Sequence, residues 1–97
     1  MKTKVIFRKS RAEVLAIFPE HPATHDGRTC VCYAHTGQHG ACDPFIHRRG
    51  YRLATPEEYA PLKAELERIG YDLHIVSVIS PAMTRKRMQA AFSPVTP

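Results

Sequence analysis

The sequence predicts an α+β domain: a mainly antiparallel sheet of about four strands in the order β-β-β-α-β, with one helix packed on a face and a short C-terminal helix beyond it. Three observations carry this. Short stretches rich in β-formers and bounded by turn residues recur before residue 36, a capped helical pattern spans residues 55–70, and an alternating stretch follows it directly. At 97 residues the chain has room for one modest core. We therefore expect an α+β domain over residues 1–80 and a basic C-terminal segment over residues 81–97, partly helical or frayed.

The first strand is expected at residues 3–9, "TKVIFRK", and the second in "EVLAIFPE", ended by Pro19; the short "SRAE" between them implies an antiparallel hairpin. "HPATHDGR" gathers Pro, Asp and Gly and reads as a loop. "TCVCYAH" is the third strand, with Val31 and Tyr33 on one face and Cys30, Cys32 and Ala34 on the other. From Thr36 to Leu53 no period holds, and Gly37, Gly40, Pro44 and Gly50 interrupt it; a short strand fits near Phe45–Arg48 or Tyr51–Leu53.

"TPEEYAPLKAELERIG" carries the clearest element. Thr55 is an N-cap, Pro56 suits the first helical position, and Glu58 completes a capping box. Tyr59, Leu62, Leu66 and Ile69 form a narrow apolar stripe for the core, and Gly70 stops the helix. "YDLHIVSVIS" then reads as a fourth strand, with Tyr71, Leu73 and Ile75 on one face and His74, Val76 and Val78 on the other. Ser80 can cap a basic helix through "AMTRKRMQAAF", with Met88 and Phe92 on one side, before a frayed "SPVTP".

The formal charge of +5 points to an acidic partner such as nucleic acid or an acidic protein surface; it equally suits a solvated surface that keeps a small protein soluble. No apolar run approaches a membrane span, and Val5-Ile6-Phe7 is too short for a signal-peptide core, which predicts a cytoplasmic protein. Three cysteines cannot all pair within one chain, which fits a reducing compartment and free thiols.

"HTGQHGACD" is the most unusual stretch. Cys30, Cys32, His39 and Cys42, with His35 and His47 nearby, supply enough donors for structural zinc, but Cys30 and Cys32 are spaced C-x-C rather than as a C-x2-C knuckle. The alternative is that Cys30 and Cys32 are small buried apolar residues. Cys42 between His39 and Asp43 suggests a nucleophile, yet residues so close in sequence rarely meet in the required geometry. "TGQHGA" lacks the Lys-Ser/Thr ending of a phosphate loop. The reading adopted is a shaped surface loop leaving the third strand, held by Gly37, Gly40 and a hydrogen bond from His39 to Asp43.

At "GQHGACD" together with "ATPEEYAPLKAELERIGYDLHIV", the chain resembles a group of short bacterial proteins associated with phages and other mobile elements. The resemblance covers most of residues 4–79. It implies a compact domain in a mobile-element setting and transfers no catalytic residue.

The expected function is non-enzymatic binding, as an inhibitor or adaptor, to nucleic acid or to a complex that handles it. The binding residues would be His39, Arg48, Arg49 and Arg52, then Arg85, Lys86 and Arg87, with Tyr33 and Tyr51 available for stacking. No cofactor is expected in this reading. The alternatives are a zinc protein using Cys30, Cys32, His39 and Cys42, and a homodimeric interaction module that binds no nucleic acid.

Overall fold

The computed structural model describes residues 2–34 and 38–92. The fold is α+β: a six-stranded, mostly antiparallel sheet with two helices packed on it. Strands β1 (Thr3–Lys9), β2 (Val14–Pro22), β3 (Cys30–Ala34) and β4 (Gln38–Cys42) form a meander. β5 (Arg52–Leu53) and β6 (Leu73–Ile75) both pair with β1, so the order runs β4-β3-β2-β1-β5 with β6 also beside β1. Helix α1 spans Pro56–Arg68 and α2 spans Pro81–Phe92.

Strand alternation gives the sheet two apolar faces. On the first, Val5, Phe7, Ala16, Phe18 and Tyr33 meet Leu62 and Leu66 of α1. Phe7 stacks on Tyr59 at 4.4 Å and Phe18 on Tyr71 at 5.0 Å between ring centroids. On the second, Ile6, Leu15, Ile17, Cys30 and Cys32 lie under Ile46, Val76 and Ile79. The expected division of β3 holds: Val31 and Tyr33 join the first core, Cys30, Cys32 and Ala34 the second.

The start of α1 is built as its sequence predicts. The Glu58 N–H donates to the Thr55 hydroxyl oxygen at 3.3 Å, and the Thr55 N–H donates to the Glu58 carboxylate at 2.9 Å. Past Ile69 the chain turns at Gly70, whose φ of +113° lies in the region side chains avoid.

Three elements depart from expectation. β2 does not end at Pro19 but runs to Pro22, with a break in register between Phe18 and Pro22. A proline without an N–H is tolerated at such an irregularity. The fourth strand expected from Tyr71 to Ser80 is only Leu73–Ile75 and runs parallel to β1. It stops because the outer edge of β1 is shared: Thr3–Val5 pair with β6, while Arg8 and Lys9 pair with β5. The stretch expected to be irregular holds β4, a 3-10 turn at Ile46–Arg49 and β5, so Tyr51–Leu53 rather than Phe45–Arg48 contains the strand.

The basic helix α2 forms, and the Met83 N–H donates to Ser80 Oγ at 3.1 Å as the cap requires. Met83 is buried, whereas Phe92 is exposed. Arg87, only 3% exposed, fastens the helix. Its Nε–H donates to the Gly27 carbonyl and Nη1–H to the Pro19 carbonyl, both at 2.9 Å. Gly27 has φ +71°, and a Cβ there would sit 2.8 Å from Met88 Sδ, so the turn fits closely under the helix. The expected frayed tail lies outside the described residues, and among the described residues no helix is long and apolar enough to cross a membrane.

Candidate nucleic-acid interface

The segment that sequence reading treats as one loop, residues 35–52, does not stay in one place. β4 and β5 lie toward opposite sides of the sheet, so the chain between them crosses the second face. His39 stands on β4 opposite Tyr33, facing the first core. Its Nε2 shares a hydrogen bond of 2.8 Å with the Tyr71 hydroxyl, rather than with Asp43 as expected. Gly40 is a strand residue whose φ is not positive, so it does not shape a loop; His35 and Gly37 lie outside the described residues.

The crossing itself is well ordered by local bonds. Asp43 Oδ1 accepts the Phe45 N–H at 2.8 Å, and the Asp43 carbonyl accepts the Ile46 N–H at 3.1 Å. Ile46 is buried in the second core and pins the 3-10 turn. With Ile46 inward, Phe45, His47, Arg48 and Arg49 stand exposed. Gly50, at φ +90°, then turns the chain toward β5.

The resulting surface joins an aromatic ring to several cations. Phe45 is 41% exposed, and the Arg48 guanidinium lies 4.8 Å from its ring centroid. His47 meets the ring edge-on at 6.3 Å between centroids. Arg49 reaches Asp43 at 3.6 Å, an exposed pair that holds the side chain only weakly. Beside the ring an open groove of about 250 Å³ is lined by Arg8, Pro44, Phe45, His47, Val78 and Ile79.

Arg8 is the unusual member. It follows Ile6 by two positions on β1 and shares the orientation of that buried residue. It is half-buried, burial lowers its pKa from the ordinary arginine value, and among the described residues its guanidinium has no ion-pair or hydrogen-bond partner. Arginine stays charged, so this is a partly desolvated cation with its fork unoccupied.

The other residues expected to bind are arranged differently. Arg52 is held by two hydrogen bonds to Glu58, at 2.8 and 2.6 Å. That pairing, followed by the Thr55 N–H, holds the Glu58 carboxyl down at about 2. Arg85 is exposed on α2, Lys86 pairs with Glu20 at 3.5 Å, and Arg87 is buried against carbonyls. Tyr33 is buried, and Tyr51 packs half-buried against the second core with its hydroxyl donating to Glu13 at 2.9 Å. Of the expected set, Arg48 and Arg49 share the 3-10 turn, while His39 belongs to the other face. Sequence reading missed Phe45 and Arg8, although an arginine in phase with Ile6 was a legible signal.

The cysteines gather, but not as the zinc set. Cys30 faces Cys42 across β3 and β4 with 3.8 Å between sulfurs, and Cys32 joins them on the second face. His39 points to the other side of the sheet, because adjacent strand positions alternate. Among the described residues no group of three or more His, Cys, Asp or Glu is placed to hold a metal ion. The Cys42 thiol is pushed up to about 12, first by its hydrogen bond to Cys30, and Cys32 is raised too, first by its hydrogen bond to Cys42. An activated nucleophile has the opposite shift.

Neither the protein-family models, nor the curated proteins, nor the solved structures contain a match to this chain.

Proposed function

We propose that the protein binds single-stranded nucleic acid through the Phe45 groove, without catalysing a reaction. Phosphates pair with the Arg8 guanidinium and with the exposed Arg48 and Arg49, displacing the weak Arg49–Asp43 contact, and a base stacks on Phe45. The observation that carries this reading is Arg8: a half-buried guanidinium without a carboxylate partner among the described residues, beside an exposed ring already faced by a second arginine. An unpaired, partly desolvated cation costs stability, so an anion that completes it gains more than at an exposed lysine. The ring favours a strand with accessible bases over a duplex, because every base offers a stacking face. A small protein that coats single strands would act as an inhibitor or adaptor of machinery working on them.

The test is fluorescence anisotropy with a labelled oligonucleotide of about 10 nucleotides, within the usual site size for such grooves. Affinity should fall as salt rises, with a log–log slope of about −2 if about three phosphates are neutralised. Phe45→Ala should weaken binding by about 1–3 kcal/mol. Arg85→Ala, on α2, should change little. Binding that ignores salt, or that survives Phe45→Ala intact, rules the groove out. A dimer seen by native mass spectrometry with no oligonucleotide affinity would favour the homodimeric reading instead.

A further inference from the structure

We infer that Cys30 and Cys42 form a reversible cross-strand disulfide that fastens β4 to β3 when the protein meets a low-molecular-weight disulfide such as oxidised glutathione. This does not rest on the nucleic-acid reading. The two residues are direct partners in the antiparallel register, and their sulfurs are 3.8 Å apart. Facing residues of such strands have Cα atoms about 4.5–5.5 Å apart. That lies inside the range of about 4.4–6.8 Å that a disulfide spans. Forming the bond therefore asks the sulfurs to close to about 2.05 Å by side-chain rotation, without moving a strand.

Exposure sets the order of events. Cys30 is fully buried and Cys32 nearly so, whereas Cys42 is half-buried on the outermost strand. The Cys42 thiolate attacks one sulfur of oxidised glutathione; the S–S bond breaks, a mixed disulfide forms, and one glutathione thiolate leaves. The Cys30 thiolate then attacks Cys42 Sγ in that mixed disulfide, and the second glutathione thiolate leaves. The protein loses two electrons and two protons, which the two glutathione molecules gain. The raised thiol of Cys42 makes the first step slow at neutral pH, so the switch answers sustained oxidation rather than brief exposure.

Cys32 gives the inference a specific alternative. It faces Gly40, which has no side chain, and lies on the same face of the sheet as Cys42. A bond from Cys32 to Cys42 would be diagonal, whereas Cys30 stands directly across. The new bond closes the β3–β4 hairpin and holds the residue just before Asp43, from which the 3-10 turn starts.

The native protein should be incubated in glutathione redox buffers, quenched by alkylation and examined by mass spectrometry. Cleavage after Tyr33 separates Cys30 and Cys32 from Cys42. The expected product has its two fragments linked, one alkylated cysteine left at Cys32, and reverts with dithiothreitol. Cys32→Ser should still crosslink and Cys30→Ser should not, and amide exchange in β4 should slow in the linked form. A mixed disulfide at Cys42 that never resolves, a Cys32–Cys42 link, or linkage only in denaturant would overturn it. Because the wild-type map and Cys32→Ser decide the pairing, failure of Cys30→Ser to fold leaves the test intact.

Discussion

The two faces of the sheet are covered in different ways. One face is sealed by a regular, well-capped helix whose leucines meet phenylalanine and tyrosine rings. The other lies under a 3-10 turn, an extended stretch and the residues Val76 and Ile79, with thiols among its buried groups and an arginine at its rim. The first face is a closed apolar core. The second carries a guanidinium that has no side-chain partner among the described residues, with a groove beside it, and this is where binding is proposed. If the groove binds as proposed, this domain divides its labour by face rather than by region of sequence.

Mutations should break that division in a graded way. The largest effect is expected from Leu66→Ala, fully buried beneath α1, which should cost about 2–5 kcal/mol in chemical denaturation while leaving oligonucleotide affinity of the folded fraction unchanged. A loss of affinity in that fraction would show that the faces are coupled. Next, Arg87→Met should cost about 1–3 kcal/mol, because it leaves the Pro19 and Gly27 carbonyls without their buried donor. Its signature is faster amide exchange in α2 and in the turn around Gly27, with α1 undisturbed.

Arg8→Met sharpens the comparison most. It should leave stability unchanged or raise it by up to about 1 kcal/mol, since function-bearing sites commonly carry a stability cost. The same variant should lose most oligonucleotide affinity. A destabilised Arg8→Met would mean that the guanidinium is a structural group after all.

The smallest effect concerns pH. Glu58 has its folded-state pKa depressed to about 2 from an ordinary 4.5, by Arg52 first and the Thr55 N–H second. Its contribution is therefore complete above about pH 4.5 and lost as pH falls through about 2. Stability of Glu58→Gln should fall less than wild type between pH 5 and pH 2 in acid denaturation, and binding at neutral pH should be alike in the two.

The same contrast explains what the sequence made legible. α1 is encoded locally: cap, capping box, apolar stripe and terminal glycine all lie within residues 55–70, so its position could be read directly. β1 to β3 were readable from β-forming stretches and the turns between them. The covering of the second face depends on distant competition. β6 is cut short because β5, formed from residues about twenty positions earlier, already occupies part of the edge of β1. Nothing within "YDLHIVSVIS" reports that. His39 was misplaced for a related reason: with three residues between Ala34 and Gln38, the stretch closes into a hairpin, which turns a supposed loop tip into a strand position facing Tyr33. Arg87 looked like a surface cation in "TRKR", and only the Gly27 turn far upstream makes it a buried donor.

That long-distance tie has a consequence for how the molecule comes into being on the ribosome. The bonds from Arg87 reach back 60 residues to Gly27 and 68 to Pro19. A nascent chain can close the α1 face once Leu73 has emerged, but Pro19 and Gly27 must wait for Arg87. During that interval the Pro19 and Gly27 carbonyls lack their donor, while the second face, whose cover ends at Ile79, already has all its parts, and domains emerge at about 5–20 residues per second. The turn around Gly27 is thus the part of the domain whose fastening is set by translation of α2.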